Sequence, residues 1–66
     1  MTITVNNKTI EISEESNIVD LLTTLSINPD EVIVLHNDSI IKKGALREIK
    51  IEDKDNIELI KFVGGG

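Results

Sequence analysis

The sequence predicts an α+β roll in which one amphipathic helix lies across one face of a mixed sheet of four to five strands. Three observations carry this. Segments that alternate polar and apolar residues flank a single segment with helical spacing. Short clusters of Asn, Asp and Lys separate the segments, as turns do. The chain has 66 residues, no cysteine and one histidine, so one aliphatic core must hold it without a disulfide framework or a Cys/His zinc site. Hydrophobic residues make up 39% of the chain and Phe62 is its one aromatic, so Ile, Leu and Val must supply that core.

Thr2-Ile3-Thr4-Val5-Asn6 alternates like a half-buried strand, and Thr9-Ile10-Glu11-Ile12-Ser13 repeats the pattern. Between them, Asn6-Asn7-Lys8 supplies residues that tolerate a positive φ, which makes the pair a β-hairpin. A helix follows, with Asn17 as N-cap and the Asp20 carboxylate near the positive end of the helix dipole. Ile18, Leu21, Leu22 and Leu25 fall at i, i+3, i+4 and i+7, and Val19 widens this stripe. Asn28-Pro29 is expected to end the helix, because proline biases the residue before it away from αR. Glu14-Glu15 reads as charge complementing the dipole.

The third strand, Glu31-Val32-Ile33-Val34-Leu35-His36, is nearly all apolar, which places it inside the sheet rather than at an edge. Asn37-Asp38 turns the chain into Ser39-Ile40-Ile41-Lys42-Lys43, whose lysines read as a solvated strand end. Gly44 to Glu48 reads as a loop with a helical turn, Ile49-Lys50-Ile51 as a short strand, and Asp53-Lys54-Asp55-Asn56 as a turn. The last strand is Ile57-Glu58-Leu59-Ile60-Lys61-Phe62. In so short a chain the helix between strands two and three can cover only one face, and this order is the β-grasp, or ubiquitin-like, roll. Residues 1–63 form the expected domain and 64–66 a flexible glycine tail.

The formal net charge is −5. There is neither a basic face nor a set of stacking aromatics, so nucleic acid is a poor partner, while the acidity suits a basic surface on another protein. No apolar run is long enough to span a bilayer and no signal peptide is apparent, which points to a cytoplasmic protein. The chain is too small for a deep pocket and offers no nucleophile–base pair, so an independent enzyme is not expected. His36, without a nucleophile or metal partner, is assigned a surface or turn role, and Glu52, Asp53 and Asp55 a solvated turn.

The chemistry lies in Val63-Gly64-Gly65-Gly66. Glycine adds nothing to packing and loses the most entropy on ordering, so three in a row after a strand are either a frayed end or a tail with a task. Lacking Cβ atoms, an extended tail can thread a narrow channel and bring the Gly66 carboxylate to a nucleotide phosphate. Converted to an acyl-adenylate, that carboxylate becomes electrophilic and can be turned into a thiocarboxylate. Without cysteine, the chain cannot carry sulfur as a side-chain persulfide.

The length, the strand–helix order and the stretch Asp53 to Gly66 (Asp-x-Asp-x-Ile-Glu-Leu-Ile-x-Phe-Val-Gly-Gly-Gly) resemble the ThiS/MoaD group of ubiquitin-like proteins, and within it the ThiS family of sulfur carriers of thiamine thiazole synthesis. The resemblance covers the whole chain. It implies that Gly66 is adenylated and thiolated, and that Gly64 and Gly65 enter the partner's active site. It further implies a ThiF-like activating enzyme using ATP and magnesium, neither held by this chain, a sulfur donor protein, and thiazole synthase, ThiG, as acceptor. Two turn positions depart from the pattern: Lys54 and Asp38 stand where the family often has glycine.

Along the last strand, Ile57 and Leu59 are expected to face the helix and Glu58, Ile60 and Phe62 to face outward. With Val63 they form the expected docking surface beside the tail, on a carrier expected to be monomeric when free. Three other readings stand beside this one. A MoaD-type carrier for molybdopterin is disfavoured by the absence of proline before the glycines. A ubiquitin-like modifier would be joined to target lysines through Gly66, and a plain interaction domain would carry an inert tail.

Overall fold

The structure is a computed structural model and describes residues 1–62; the tail Val63-Gly64-Gly65-Gly66 lies outside the described residues. One sheet contains β1 (Thr2–Val5), β2 (Lys8–Glu11), β3 (Val32–His36), β4 (Ser39–Ile41) and β5 (Asn56–Lys61), in the spatial order β2-β1-β5-β3-β4. The central pair β1–β5 is parallel and the other neighbours are antiparallel. The helix α1 (Ile18–Thr24) covers one face. This is the expected β-grasp, with β3 inside the sheet as its apolar run requires. β5 is inserted between two hairpins, β1–β2 and β3–β4.

Both hairpins close through two left-handed residues. Asn6 and Asn7 have φ of 49° and 68°, and Asn37 and Asp38 have φ of 49° and 72°. Two consecutive αL residues form a turn whose twist matches that of the strands, and Asn and Asp accept this conformation more readily than other side chains. The registers Val5↔Lys8 and His36↔Ser39 follow directly.

The start of α1 agrees with its sequence. Asn17 Oδ1 accepts the Asp20 N–H at 2.8 Å, and Asp20 Oδ2 accepts the Asn17 N–H at 3.0 Å, a reciprocal capping box. Glu14 and Glu15 lie in the turn before this cap, so Asp20 is the acid of the first turn. The end of the helix differs from expectation. Leu25 caps it and Ser26 takes φ 58°, while the Ser26 N–H donates to Thr23 O at 3.1 Å and the Ile27 N–H to Leu22 O at 2.8 Å. These two bonds form a Schellman motif, with serine at the position glycine usually fills. Asn28-Pro29 instead opens a short 3-10 helix, Pro29–Glu31, whose Asp30 N–H donates to Asn28 Oδ1 at 2.9 Å. Leu25 consequently leaves the buried stripe and is exposed.

The core joins Ile18, Leu21 and Leu22 of α1 to Ile3, Val5, Val32, Val34, Ile57 and Leu59 of the sheet. A 3-10 helix, Lys43–Glu48, adds Leu46, and Ile51 follows it into the same core. Ile49-Lys50-Ile51 is not the short strand expected. It makes one bridge, Lys50 to Asn17, and its backbone bonds run from Ile18 N–H to Ile49 O at 3.2 Å and from Ile51 N–H to Ser16 O at 2.9 Å. The segment therefore secures the lead-in to α1 rather than extending the sheet.

Candidate functional site

β5 is the strand that leads to the glycine tail, and its two faces divide as alternation requires. Ile57 and Leu59 are buried beneath α1, and Glu58, Ile60 and Phe62 are exposed. Ile60 stands directly opposite Ile33 of β3, and Leu35 lies between Glu58 of β5 and Ile40 of β4. Ile33, Ile40, Ile60 and Phe62 are 41%, 71%, 50% and 45% exposed. With Leu35 they make the β4-β3-β5 half of the open sheet face apolar, whereas Thr2, Thr4 and Thr9 populate the β1-β2 half. Apolar side chains gathered on one exposed face, rather than scattered singly, make it the candidate recognition surface.

Ile60, Phe62 and Glu58 thus occupy the outward positions assigned from sequence. Ile33 and Ile40 join them, and nothing in the sequence alone marked them. In Val32-Ile33-Val34-Leu35 every residue is apolar, so alternation cannot tell the open face from the covered one. Val63, Gly64, Gly65 and Gly66, the remaining site residues assigned from sequence, lie outside the described residues.

At the opposite end of β5 the expectation of a solvated acidic turn is corrected for Asp55. Its side chain is buried and ties three segments together. Oδ2 accepts the Glu52 N–H at 2.8 Å and lies 2.6 Å from His36 Nε2; Oδ1 accepts Asn37 Nδ2 at 3.1 Å. A carboxylate only accepts, so His36 Nε2 carries the donated proton. Burial pushes the Asp55 carboxyl up, but the Glu52 N–H, His36 and Asn37 outweigh it and hold the group below its ordinary value. Glu52 and Asp53 remain exposed, and Asp53 Oδ1 accepts the Thr2 N–H at 2.8 Å. His36 is accordingly an internal structural partner, at the end of β5 remote from Phe62. Lys42 and Lys43 are exposed as expected, and Lys43 pairs with Asp30.

The model of the ThiS family matches residues 1–66. The chain belongs to the ThiS family. The sulfur carrier protein ThiS of Bacillus subtilis (strain 168) is 36% identical over 62 residues, covering 92% of this chain and 94% of that one. The crystal structure of the thiamine biosynthesis protein ThiS from Geobacter metallireducens superposes with a TM-score of 0.86 at 30% identity, each chain covered in full. A thiazole synthase of Paramagnetospirillum magneticum is 27% identical over 66 residues, all of this chain and 20% of its own length. The ThiS family is one of sulfur carriers and not of catalytic enzymes. No helix among the described residues is long and apolar enough to cross a membrane.

Proposed function

We propose that this ThiS-family sulfur carrier of thiamine biosynthesis holds its sulfur as a thiocarboxylate on Gly66 and is a protein co-substrate, not an enzyme. The observation that carries the reading is the course of β5. A strand held between β1 and β3 as far as Leu59, and by β3 beyond it, runs through the apolar face and precedes Val63-Gly64-Gly65-Gly66 in a chain with no thiol of its own. In the first step the Gly66 carboxylate oxygen attacks the α-phosphorus of ATP and releases pyrophosphate. Sulfide then adds to the acyl-adenylate carbonyl, and AMP departs with the original carboxylate oxygen. The sulfur left on Gly66 is nucleophilic and ready for transfer.

A ThiF-like enzyme would supply the ATP and magnesium sites, a separate protein the sulfur, and thiazole synthase the acceptor site. A cytoplasmic setting would supply the ATP that activation consumes. The resemblance to a stretch of a thiazole synthase supports that acceptor, since it puts a carrier-like sequence and the synthase in one chain. Ile33, Ile40, Ile60 and Phe62 would dock against the partners, with Glu58 and Val63 at the margin and Gly64 and Gly65 entering the active site. Glycine suits that entry because no side chain widens the tail.

The test uses the absence of cysteine. After incubation with ATP, magnesium, sulfide and a ThiF-type enzyme, a thiol-alkylating reagent should label the chain at Gly66 alone. No label, with an enzyme active on another carrier, would refute the reading. Stable adducts to lysines of other proteins would favour the modifier instead.

A further inference from the structure

The apolar face belongs to the docking surface already described, and the Asp55 node stands at the wrong end of β5 to act on the tail. A different feature bears on how the C-terminal half of β5 is held. On its β1 flank, β5 pairs only through Thr4↔Asn56 and Val5↔Ile57, after which β1 ends and the chain turns away at Asn6-Asn7. Pairing on that flank nevertheless continues through Asn6 itself. The Asn6 N–H donates to Ile57 O at 3.0 Å, Asn6 Oδ1 accepts the Leu59 N–H at 2.8 Å, and Asn6 Nδ2 donates to Leu59 O at 3.1 Å. The side-chain amide has the same donor–acceptor pair as a peptide group, so it stands in for the next residue of β1.

On the other flank pairing with β3 runs to Val32↔Lys61, and the Phe62 N–H donates to Glu31 O at 3.1 Å. Among the described residues, β5 is therefore held on two flanks as far as Leu59 and on one thereafter. Asn6, left-handed at φ 49°, directs its side chain to Leu59 of β5.

We propose that Asn6 is a positioning residue that fixes the C-terminal half of β5, so that Ile60 and Phe62 are held ready for docking. Without its amide, two-sided support of β5 would end at Ile57, and the strand bearing Ile60 and Phe62 would rest on β3 alone, with more ordering left to complete on meeting a partner. That ordering would weaken productive binding and leave the chemical step alone. The inference rests on the proposed role of Gly66, and two readouts separate its failure from the failure of that role.

The variant Asn6→Gly keeps the left-handed turn and removes the amide. Asn6→Asp keeps the acceptor for the Leu59 N–H, and Asn37→Gly is the matched change at the far end of β5, where Asn37 Oδ1 accepts the Asn56 N–H at 2.8 Å. Amide exchange at Leu59 should quicken about tenfold in Asn6→Gly. Exchange at Ile51, in the segment that secures α1, should match that in Asn37→Gly. In pyrophosphate exchange driven by a ThiF-type enzyme, KM for Asn6→Gly should rise about tenfold with kcat within about twofold. Asn6→Asp should fall between it and the unchanged chain, and Asn37→Gly should keep the original KM. Unaltered exchange at Leu59 would overturn the clamp. Faster exchange with KM no higher than in Asn37→Gly would overturn the positioning role. If the unchanged chain supports no pyrophosphate exchange, the role of Gly66 falls and positioning with it, while amide exchange still decides the clamp.

Discussion

Replacing Asp55 by asparagine removes a charge and almost no volume, and the consequence can be worked from its three partners. The carboxylate accepts from the Glu52 N–H, His36 Nε2 and Asn37 Nδ2. An asparagine oxygen can serve Glu52 and His36, but its NH2 then meets Asn37 Nδ2. Asn37 cannot flip to relieve this, because its Oδ1 already accepts the Asn56 N–H. One bond is lost and two pass from charge-assisted to neutral, which costs about 2–3 kcal/mol in total. A domain of this length has about 3–10 kcal/mol of stability, so the variant stays folded but unfolds at lower urea. Acidity supplies the diagnostic. The Asp55 carboxyl is held below its ordinary 3.8, so its charge adds stability above that pH, and the increment is lost as pH falls through the folded-state value. Urea unfolding of both proteins should show a gap of about 2–3 kcal/mol at pH 7 that narrows below about pH 4. A gap of equal size at pH 7 and pH 3 would refute the assignment to charge, and a gap under about 1 kcal/mol at pH 7 would refute the node's importance.

Other expectations follow from particular positions. Leu22→Ala leaves a cavity beneath α1, where Leu22 is fully buried, and should cost about 3–4 kcal/mol in urea unfolding. Ser26→Gly relieves an L-residue at φ 58° and should stabilise by about 0.5–1 kcal/mol, read as a higher thermal midpoint. Ile60→Glu should leave the urea midpoint close to its original value while weakening binding to a ThiF-type enzyme at least about tenfold by titration calorimetry, because it puts a charge on the apolar half-face directly opposite Ile33.

The sequence made local features plain and left distant ones dark. The Asn17 cap, the Ile18-Leu21-Leu22 stripe and both asparagine turns depend on neighbours a few residues away, and each stands where periodicity and turn chemistry put it. The end of α1 was obscured because a serine occupies the left-handed position and gives no glycine signal, so Pro29 became the nearest visible stop. Asp55 looked like one more acid in a turn; its burial depends on His36 and Asn37, 19 and 18 residues away. Asn6 and Leu59 are 53 residues apart, and no local pattern links them. Ile33 was hidden within an unbroken apolar run, and Ile40 became informative only once Leu35 was seen beside it.

The insertion of β5 between two hairpins has a consequence for the order of events in synthesis. Until Asn56–Lys61 has been made, β1–β2 and β3–β4 are separate hairpins, and a lone hairpin is marginal in water. Ile57 and Leu59 complete the surface on which α1 rests, so cooperative folding waits for almost the whole chain. The strand that closes the sheet is also the one that leads to the glycines for which the carrier role is proposed. A chain cut short before β5 would thus lack both the fold and the tail, and a partner that recognises the finished sheet face would pass over it. In this architecture a folded chain has been made at least through the strand that precedes the glycines.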